Sequence, residues 1–267
     1  MYAGFRSNPP TDGKPTRLDL SNPDLGRVVR DVNPELVIHT GGLADVDQCE
    51  EQPELADRVN GIASGEIAKA AHNLGAHLTY VSTDYIFDGT QGNYDENANP
   101  NPISQYGRSK LLGERLVAET GGEYCIARTS LIYGWRRTRK PNYAVSVVQA
   151  LQGKREVKAA SDLYSSPTLS TNLAEMLLEL SARRLTGIFH VSGATRTNRL
   201  EFANAIADQF SLDPAGIVRV NAQMLNLKAI RPSDSSMNVS KAMRTLDAKP
   251  LKLPEALQLF QRTRPTG

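Results

Sequence analysis

The 267-residue chain sets 31 Lys and Arg against 29 Asp and Glu, a formal net charge of +2, too even for nucleic acid or an anionic membrane to be its main partner. Cys49 and Cys125 lie far apart and form no C-x-x-C, which argues against a disulfide framework or a zinc site. No apolar run approaches the length of a membrane span and residues 1–10 hold no apolar signal core, so the sequence reads as a soluble, cytoplasmic protein with no membrane partner.

Short β-rich runs alternate with longer helical patterns along the first half, the mark of βαβ units and a parallel sheet. Tyr2-Ala3-Gly4-Phe5 reads as one strand and Thr16-Arg17-Leu18-Asp19-Leu20 as another. A dinucleotide fold opens with a strand, a G-x-G-x-x-G turn and a helix whose amides hold a pyrophosphate. Nothing here matches that turn, so the first strand and glycine-rich loop are expected to be missing. About 30 residues, one β-α unit, would precede Met1, which then reads as a misplaced start.

A strand is predicted over 36–40, then a helix over 53–74, where Val59, Ile62, Ala63, Ile67, Ala70, Ala71 and Leu74 recur at helical spacing. Further strands fall at 78–82 and 124–129, separated by a turn-rich segment and a helix over 104–120 stopped by Gly121-Gly122. Beyond Tyr133 the pattern predicts helices near 142–151, 173–180, 200–210 and 253–260 and a strand at 188–191. The fold class is α/β: a Rossmann-type, doubly wound parallel sheet with a smaller C-terminal substrate-binding lobe. Residues 1–158 are assigned to the NAD(P)-binding part and 159–267 mainly to the lobe, with about 170–191 packing back on the sheet.

The sharpest chemistry is Tyr106-Gly107-Arg108-Ser109-Lys110, a Y-x-x-x-K on a predicted helix that follows Ser82-Thr83-Asp84-Tyr85 at a strand end. Residues four apart share a helix face. A nearby ammonium stabilises a phenolate, so Lys110 is expected to lower the pKa of Tyr106 and fit it for general acid work. Thr83 would hydrogen-bond the substrate oxygen as charge develops there. A bare Y-x-x-x-K usually means a solvated helix; its place at the carboxyl edge of a parallel sheet gives it weight.

The runs Ala44-Asp45-Val46-Asp47-Gln48-Cys49-Glu50, Val59-Asn60, Val81 to Gly89, Asn101 to Lys110 and Arg128-Thr129-Ser130-Leu131-Ile132-Tyr133-Gly134 resemble the dTDP-4-dehydrorhamnose reductases, extended short-chain dehydrogenases. Tyr164-Ser165-Ser166-Pro167-Thr168 and Arg231-Pro232-Ser233-Asp234-Ser235 are similar to that family's substrate-lobe segments. The resemblance implies Thr83, Tyr106 and Lys110 as the catalytic trio, Lys110 also holding the nicotinamide ribose. It places Asp84 and Tyr85 against the sugar, Ser82, Gly41, Gly42 and Leu43 against the cofactor, and Asp19 and Leu20 beside the adenine. Where the family carries a tryptophan in many bacterial members, this chain has Leu131.

Arg6 sits where such folds place an arginine for the extra phosphate of NADP, making NADPH the expected cofactor, with NADH as the alternative. Arg136 and Arg137, with Arg231, are candidates for the substrate diphosphate; the bland alternative is a solvated basic loop. The four histidines show no ligand-like spacing, and no metal site is expected. The reading is NADPH-dependent reduction of the 4-keto group of a nucleotide-linked 6-deoxysugar, in dTDP-rhamnose biosynthesis, with a homodimer as the candidate assembly. A dehydratase or epimerase is a second reading, though Asp84-Tyr85 lacks the acidic pair that dehydratases carry. The third is a non-catalytic regulatory subunit like the beta subunit of methionine adenosyltransferase.

Overall fold

The computed structural model describes residues 1–135 and 141–265. In chain order the elements are β1 (Tyr2–Phe5), β2 (Lys14–Arg17), α1 (Leu25–Val32), β3 (Leu36–His39), α2 (Val46–Glu51), α3 (Pro53–Ala56), α4 (Ala63–Asn73), β4 (His77–Thr83), α5 (Gln105–Ala118) and β5 (Tyr124–Thr129). The second half holds β6 (Ile132–Tyr133), α6 (Tyr143–Gln152), β7 (Val157–Ala160), β8 (Tyr164–Ser165), β9 (Thr168–Leu169), α7 (Ser170–Ala182) and β10 (Gly187–His190). Then come β11 (Thr197–Asn198), α8 (Arg199–Gln209), β12 (Ile217–Val220), α9 (Ser240–Thr245) and α10 (Leu253–Arg262).

Four parallel strands form the central sheet in the order β10-β5-β4-β3. β1 and β2 pair in parallel with each other and, among the described residues, with no strand of that sheet. Both faces of the sheet are covered, which is why β4 is buried along nearly its whole length. On one face Ile67, Ala70 and Ala71 of α4 and Val117 of α5 pack with Leu78 and Tyr80. On the other, Leu173, Met176, Leu177 and Leu180 of α7 pack with Cys125, Ala127 and Phe189. The small side chains of α4 allow a close approach: a Cβ on Gly65 would lie 2.8 Å from Leu116 of α5.

A separate apolar cluster joins α6, α8 and α10 through Val147, Phe202, Ile206, Leu257 and Phe260. Tyr133 of β6, just past the end of β5, packs into this cluster.

The helix predicted over 53–74 is interrupted by a π-helical turn, Asp57–Ile62, between α3 and α4. The strand predicted at 16–20 lies earlier, because the Asp19 carboxylate accepts from the amide and hydroxyl of Ser21 and turns the chain there. Helix α1 escaped prediction: it buries only Leu25 and Val29, too sparse a stripe to register.

Candidate active site

Strand β4 delivers the first part of the site. Past its last residue the chain turns through a single 3₁₀ turn, Asp84–Ile86, capped by the Thr83 hydroxyl, which accepts from the Tyr85 amide at 3.2 Å. That hydroxyl donates to Asp84 Oδ1 at 3.1 Å, and Asp84 Oδ2 accepts from Ser130 Oγ at 2.7 Å and Ser235 Oγ at 2.5 Å. Burial pushes the Asp84 carboxyl up, and the Ser235, Ser130 and Thr83 hydroxyls oppose it. Asp84 thereby ties β4 to the end of β5 and to the segment after Arg231, with both oxygens engaged by protein hydroxyls.

Helix α5 delivers the second part. Ser104 caps it by accepting from the Gly107 amide at 3.2 Å, and the Glu50 carboxylate accepts from the Gln105 amide at 3.0 Å. Gly107 is required by contact, since a Cβ there would stand 2.1 Å from the Tyr85 carbonyl oxygen. With the helix pressed against the β4 turn, the Tyr106 and Tyr85 rings meet edge-on at 5.8 Å between centroids, and the Tyr106 phenol reaches the Thr83 hydroxyl.

Lys110, one turn on, donates from Nζ to the Val81 carbonyl at 2.7 Å and lies 4.1 Å above the centre of the Tyr80 ring. Burial lowers its pKa to about 7, opposed by the negative charge of Glu114. The acidification of Tyr106 expected from Lys110 is not the dominant effect here: burial drives the phenol upward, and the Thr83 hydrogen bond is what pulls it down. The tyrosine thus keeps its proton at neutral pH.

Between α5 and the β4–β5 pair lies a charged cluster. Arg128 donates through Nε and Nη2 to the two oxygens of Glu114 at 3.0 and 2.8 Å, with side chains only 3% and 5% exposed. The Ser82 hydroxyl also donates to Glu114, at 2.5 Å, so the side chain of Ser82 points into this cluster.

Asn60, in the π turn, holds the 41–43 segment as a neighbouring strand would. Leu43 N donates to Asn60 Oδ1 at 2.7 Å, and Asn60 Nδ2 donates to Leu43 O at 3.1 Å and to Ser109 Oγ at 3.0 Å. This clamp links Gly41, Gly42 and Leu43 to the helix that carries Tyr106 and Lys110. A Cβ on Gly42 would come within 3.0 Å of Asn60 Oδ1. At the far end, Arg6 is exposed and, with Arg17, acts on the Asp19 carboxylate, which Ser21 chiefly holds below the usual range. Leu20 packs half-buried against the α4 face.

Arg231 is committed to the protein: Nη2 meets Asp47 Oδ1 at 2.9 Å and Nη1 donates to the Ala229 carbonyl at 3.0 Å. Arg136 and Arg137 lie outside the described residues. Leu131, beside Ser130, adopts a left-handed backbone with φ 36°, a conformation that costs free energy for a residue with a branched side chain.

The match of a family model decides the lineage: the one described as the RmlD substrate binding domain covers residues 6–263. The chain belongs to the RmlD family. This RmlD chain is 31% identical over 238 residues to the dTDP-4-dehydrorhamnose reductase of Burkholderia thailandensis, spanning 82% of the chain and 79% of that protein. It is 32% identical over 245 residues to the methionine adenosyltransferase 2 subunit beta of Pongo abelii, covering 89% and 72% of the two. The crystal structure of a dTDP-4-dehydrorhamnose reductase from Bacillus anthracis in complex with NADP aligns with a TM-score of 0.88 and 30% identity, over 95% of this chain and 90% of that one. The α/β fold is accordingly that of the Rossmann-type RmlD proteins.

Of the residues singled out from sequence, Thr83, Asp84, Tyr85, Tyr106 and Lys110 converge at the carboxyl end of β4. Arg6 and Asp19 gather at the β1–β2 end. Sequence reading missed Glu114, Arg128, Ser130 and Arg199. Glu114 carried a signal: it continues the Tyr106, Lys110 spacing by four more residues on the same helix face. Among the described residues no group of acids, histidines and cysteines could hold a metal ion, and no helix is long and apolar enough to cross a membrane.

Proposed function

We propose that this chain reduces the 4-keto group of a nucleotide-linked 6-deoxysugar, of the dTDP-4-dehydrorhamnose type, with NADPH as donor and NADH as the alternative. The observation that carries the reading is the meeting of Thr83, Tyr106 and Lys110 at the end of β4 in a chain this similar to named reductases. The division into a cofactor part, residues 1–158, and a substrate lobe, 159–267, with 170–191 returned to the sheet, belongs to the same proposal.

The donor set fits a nicotinamide dinucleotide. Lys110 and Tyr106 stand at the ligand edge of the sheet, Asn60 holds the segment in which Gly41 and Gly42 put no side chain between backbone and ligand, and Arg6 with Arg17 supplies positive charge suited to the extra phosphate of NADP. Asp19, Leu20 and Leu43 would border the dinucleotide, and Ser82 would contribute through its backbone. When bound, the reduced nicotinamide supplies a hydride to the substrate carbonyl carbon.

The chain's own part is proton handling and orientation. Tyr106, kept protonated by burial, gives its phenolic proton to the oxygen that becomes the new hydroxyl. The Thr83 hydroxyl, beside that phenol, steadies the same oxygen by hydrogen bonding. Lys110 stabilises the phenolate left behind, and Glu114 favours its charged form. Asp84 acts by positioning, since its bonds to three hydroxyls fix Thr83 and the chain beyond β5. Tyr85 walls the sugar side, and Arg231, pinned by Asp47, borders the site.

Purified protein incubated with dTDP-4-dehydrorhamnose should oxidise NADPH in step with formation of a dTDP-linked hydroxy sugar. Absence of turnover with either dinucleotide, together with copurification of a methionine adenosyltransferase catalytic subunit, would overturn the reading.

A further inference from the structure

Arg199 is the first residue of α8, set behind its Asn198 cap, so its backbone is fixed by the helix start. The Tyr143 hydroxyl donates to the Arg199 carbonyl at 2.9 Å, while the guanidinium lies 5.3 Å from the centre of the Tyr143 ring. The positive charge of the same guanidinium acts on both the Tyr85 phenol and the Asp84 carboxylate. Its Nη1 is buried without a hydrogen-bond partner among the described residues. A buried donor left unpaired is rare in native proteins and marks a place where something else brings the acceptor.

Among the described residues, the Asp84 carboxylate on which this guanidinium acts already has partners of its own. Both Asp84 oxygens receive hydroxyls from Thr83, Ser130 and Ser235. The other cation that acts on the Tyr85 phenol, Arg231, has both terminal nitrogens bonded to Asp47 and Ala229. Among the described residues, the positive donor left open on the Tyr85 side of the site is therefore Arg199, and a guanidinium is the side chain best matched to a phosphate oxygen.

We propose that Arg199 binds the sugar-side phosphate of the nucleotide-sugar substrate, a contact that sequence alone assigned to Arg136 and Arg137 with Arg231. The inference rests on the reductase reading, because that reading supplies a substrate whose sugar lies against Tyr106 and whose diphosphate begins one bond away. It makes α8, rather than the segment around Arg231, the element that senses whether a diphosphate is present.

Calorimetric titration in saturating NADP+ tests this with dTDP and dTMP as probes, beside steady-state reduction of dTDP-4-dehydrorhamnose. Arg199→Leu should weaken dTDP about tenfold or more and raise KM in step while kcat changes by less than about threefold, and dTMP, lacking the distal phosphate, should bind unchanged. Arg199→Lys should recover part of the dTDP affinity, showing that charge rather than packing is at stake. An active Arg199→Leu protein with wild-type dTDP affinity, or one that loses dTMP and dTDP equally, overturns the Arg199 assignment and leaves the reductase reading standing. A wild-type protein that neither binds dTDP nor turns over the keto sugar overturns the reductase reading itself.

Discussion

The two stretches of the contact between α5 and the sheet, a rear one around Glu114 and a front one around Tyr106, differ in how their polar atoms are answered. At the rear, Glu114 and Arg128 form a two-pronged ion pair nearly sealed from water, with Ser82 attached to it. In front, Tyr85 and Tyr106 meet edge-on and, among the described residues, no acceptor meets the buried Nη1 of Arg199. A closed polar cluster fixes geometry, because breaking any member strands a charge in low dielectric. An open one binds and reacts, because a ligand completes it. The rear cluster thus keeps β4 and α5 in register, and the front group depends on that register to bring Thr83 to Tyr106.

The contrast predicts opposite phenotypes in the two stretches. Tyr106→Phe should lower kcat for keto-sugar reduction by about 100- to 10,000-fold while the urea midpoint stays near wild type. A large loss of stability would show that the phenol is a structural member like Glu114. Arg128→Leu should do the reverse in kind: it leaves the Glu114 carboxylate buried and unpaired and should cost about 3–5 kcal/mol in urea unfolding. Replacing both partners by apolar residues, as Arg128→Leu with Glu114→Met, should restore most of that loss. Failure of the double variant to recover would mean that Ser82 and Lys110 depend on the carboxylate itself.

The front of the site was legible in sequence and the rear was not, for a physical reason. Tyr106 and Lys110 are four residues apart on one helix, and Thr83 ends a β-rich run, so local spacing places both. Arg128 meets Glu114 only because β5 lies beside β4 beneath α5, and Asn60 meets Leu43 only because the π turn swings it back over the 41–43 segment. Such contacts have no period. Arg199 was hidden for the same reason, since it begins α8, far along the chain from the Tyr85 phenol on which its charge acts. The alternation of strands and helices carried the doubly wound sheet well, apart from α1, whose two buried residues leave no stripe. The expected acidification of Tyr106 by Lys110 left out burial, which drives the phenol upward.

Lys110 belongs to both regions, and its titration sharpens the comparison with the smallest effect of the three. Its ammonium is bonded in front of Glu114 to the Val81 carbonyl, and burial brings its pKa from an ordinary 10.5 to about 7. Between those values the unfolded chain binds a proton that the folded chain does not, so stability attributable to Lys110 rises with pH across that window. The destabilising effect of the buried ammonium is therefore fully present below about pH 7 and fades as pH approaches about 10. Lys110→Met removes it. The variant should exceed wild type in urea midpoint most at about pH 6, and the gap should narrow steadily toward about pH 9. Glu114 opposes the shift, so Arg128→Leu, which frees the carboxylate to act on Lys110 alone, should move the narrowing to higher pH. A gap that is flat with pH would mean that Lys110 titrates as an exposed lysine does and that the rear cluster does not reach it.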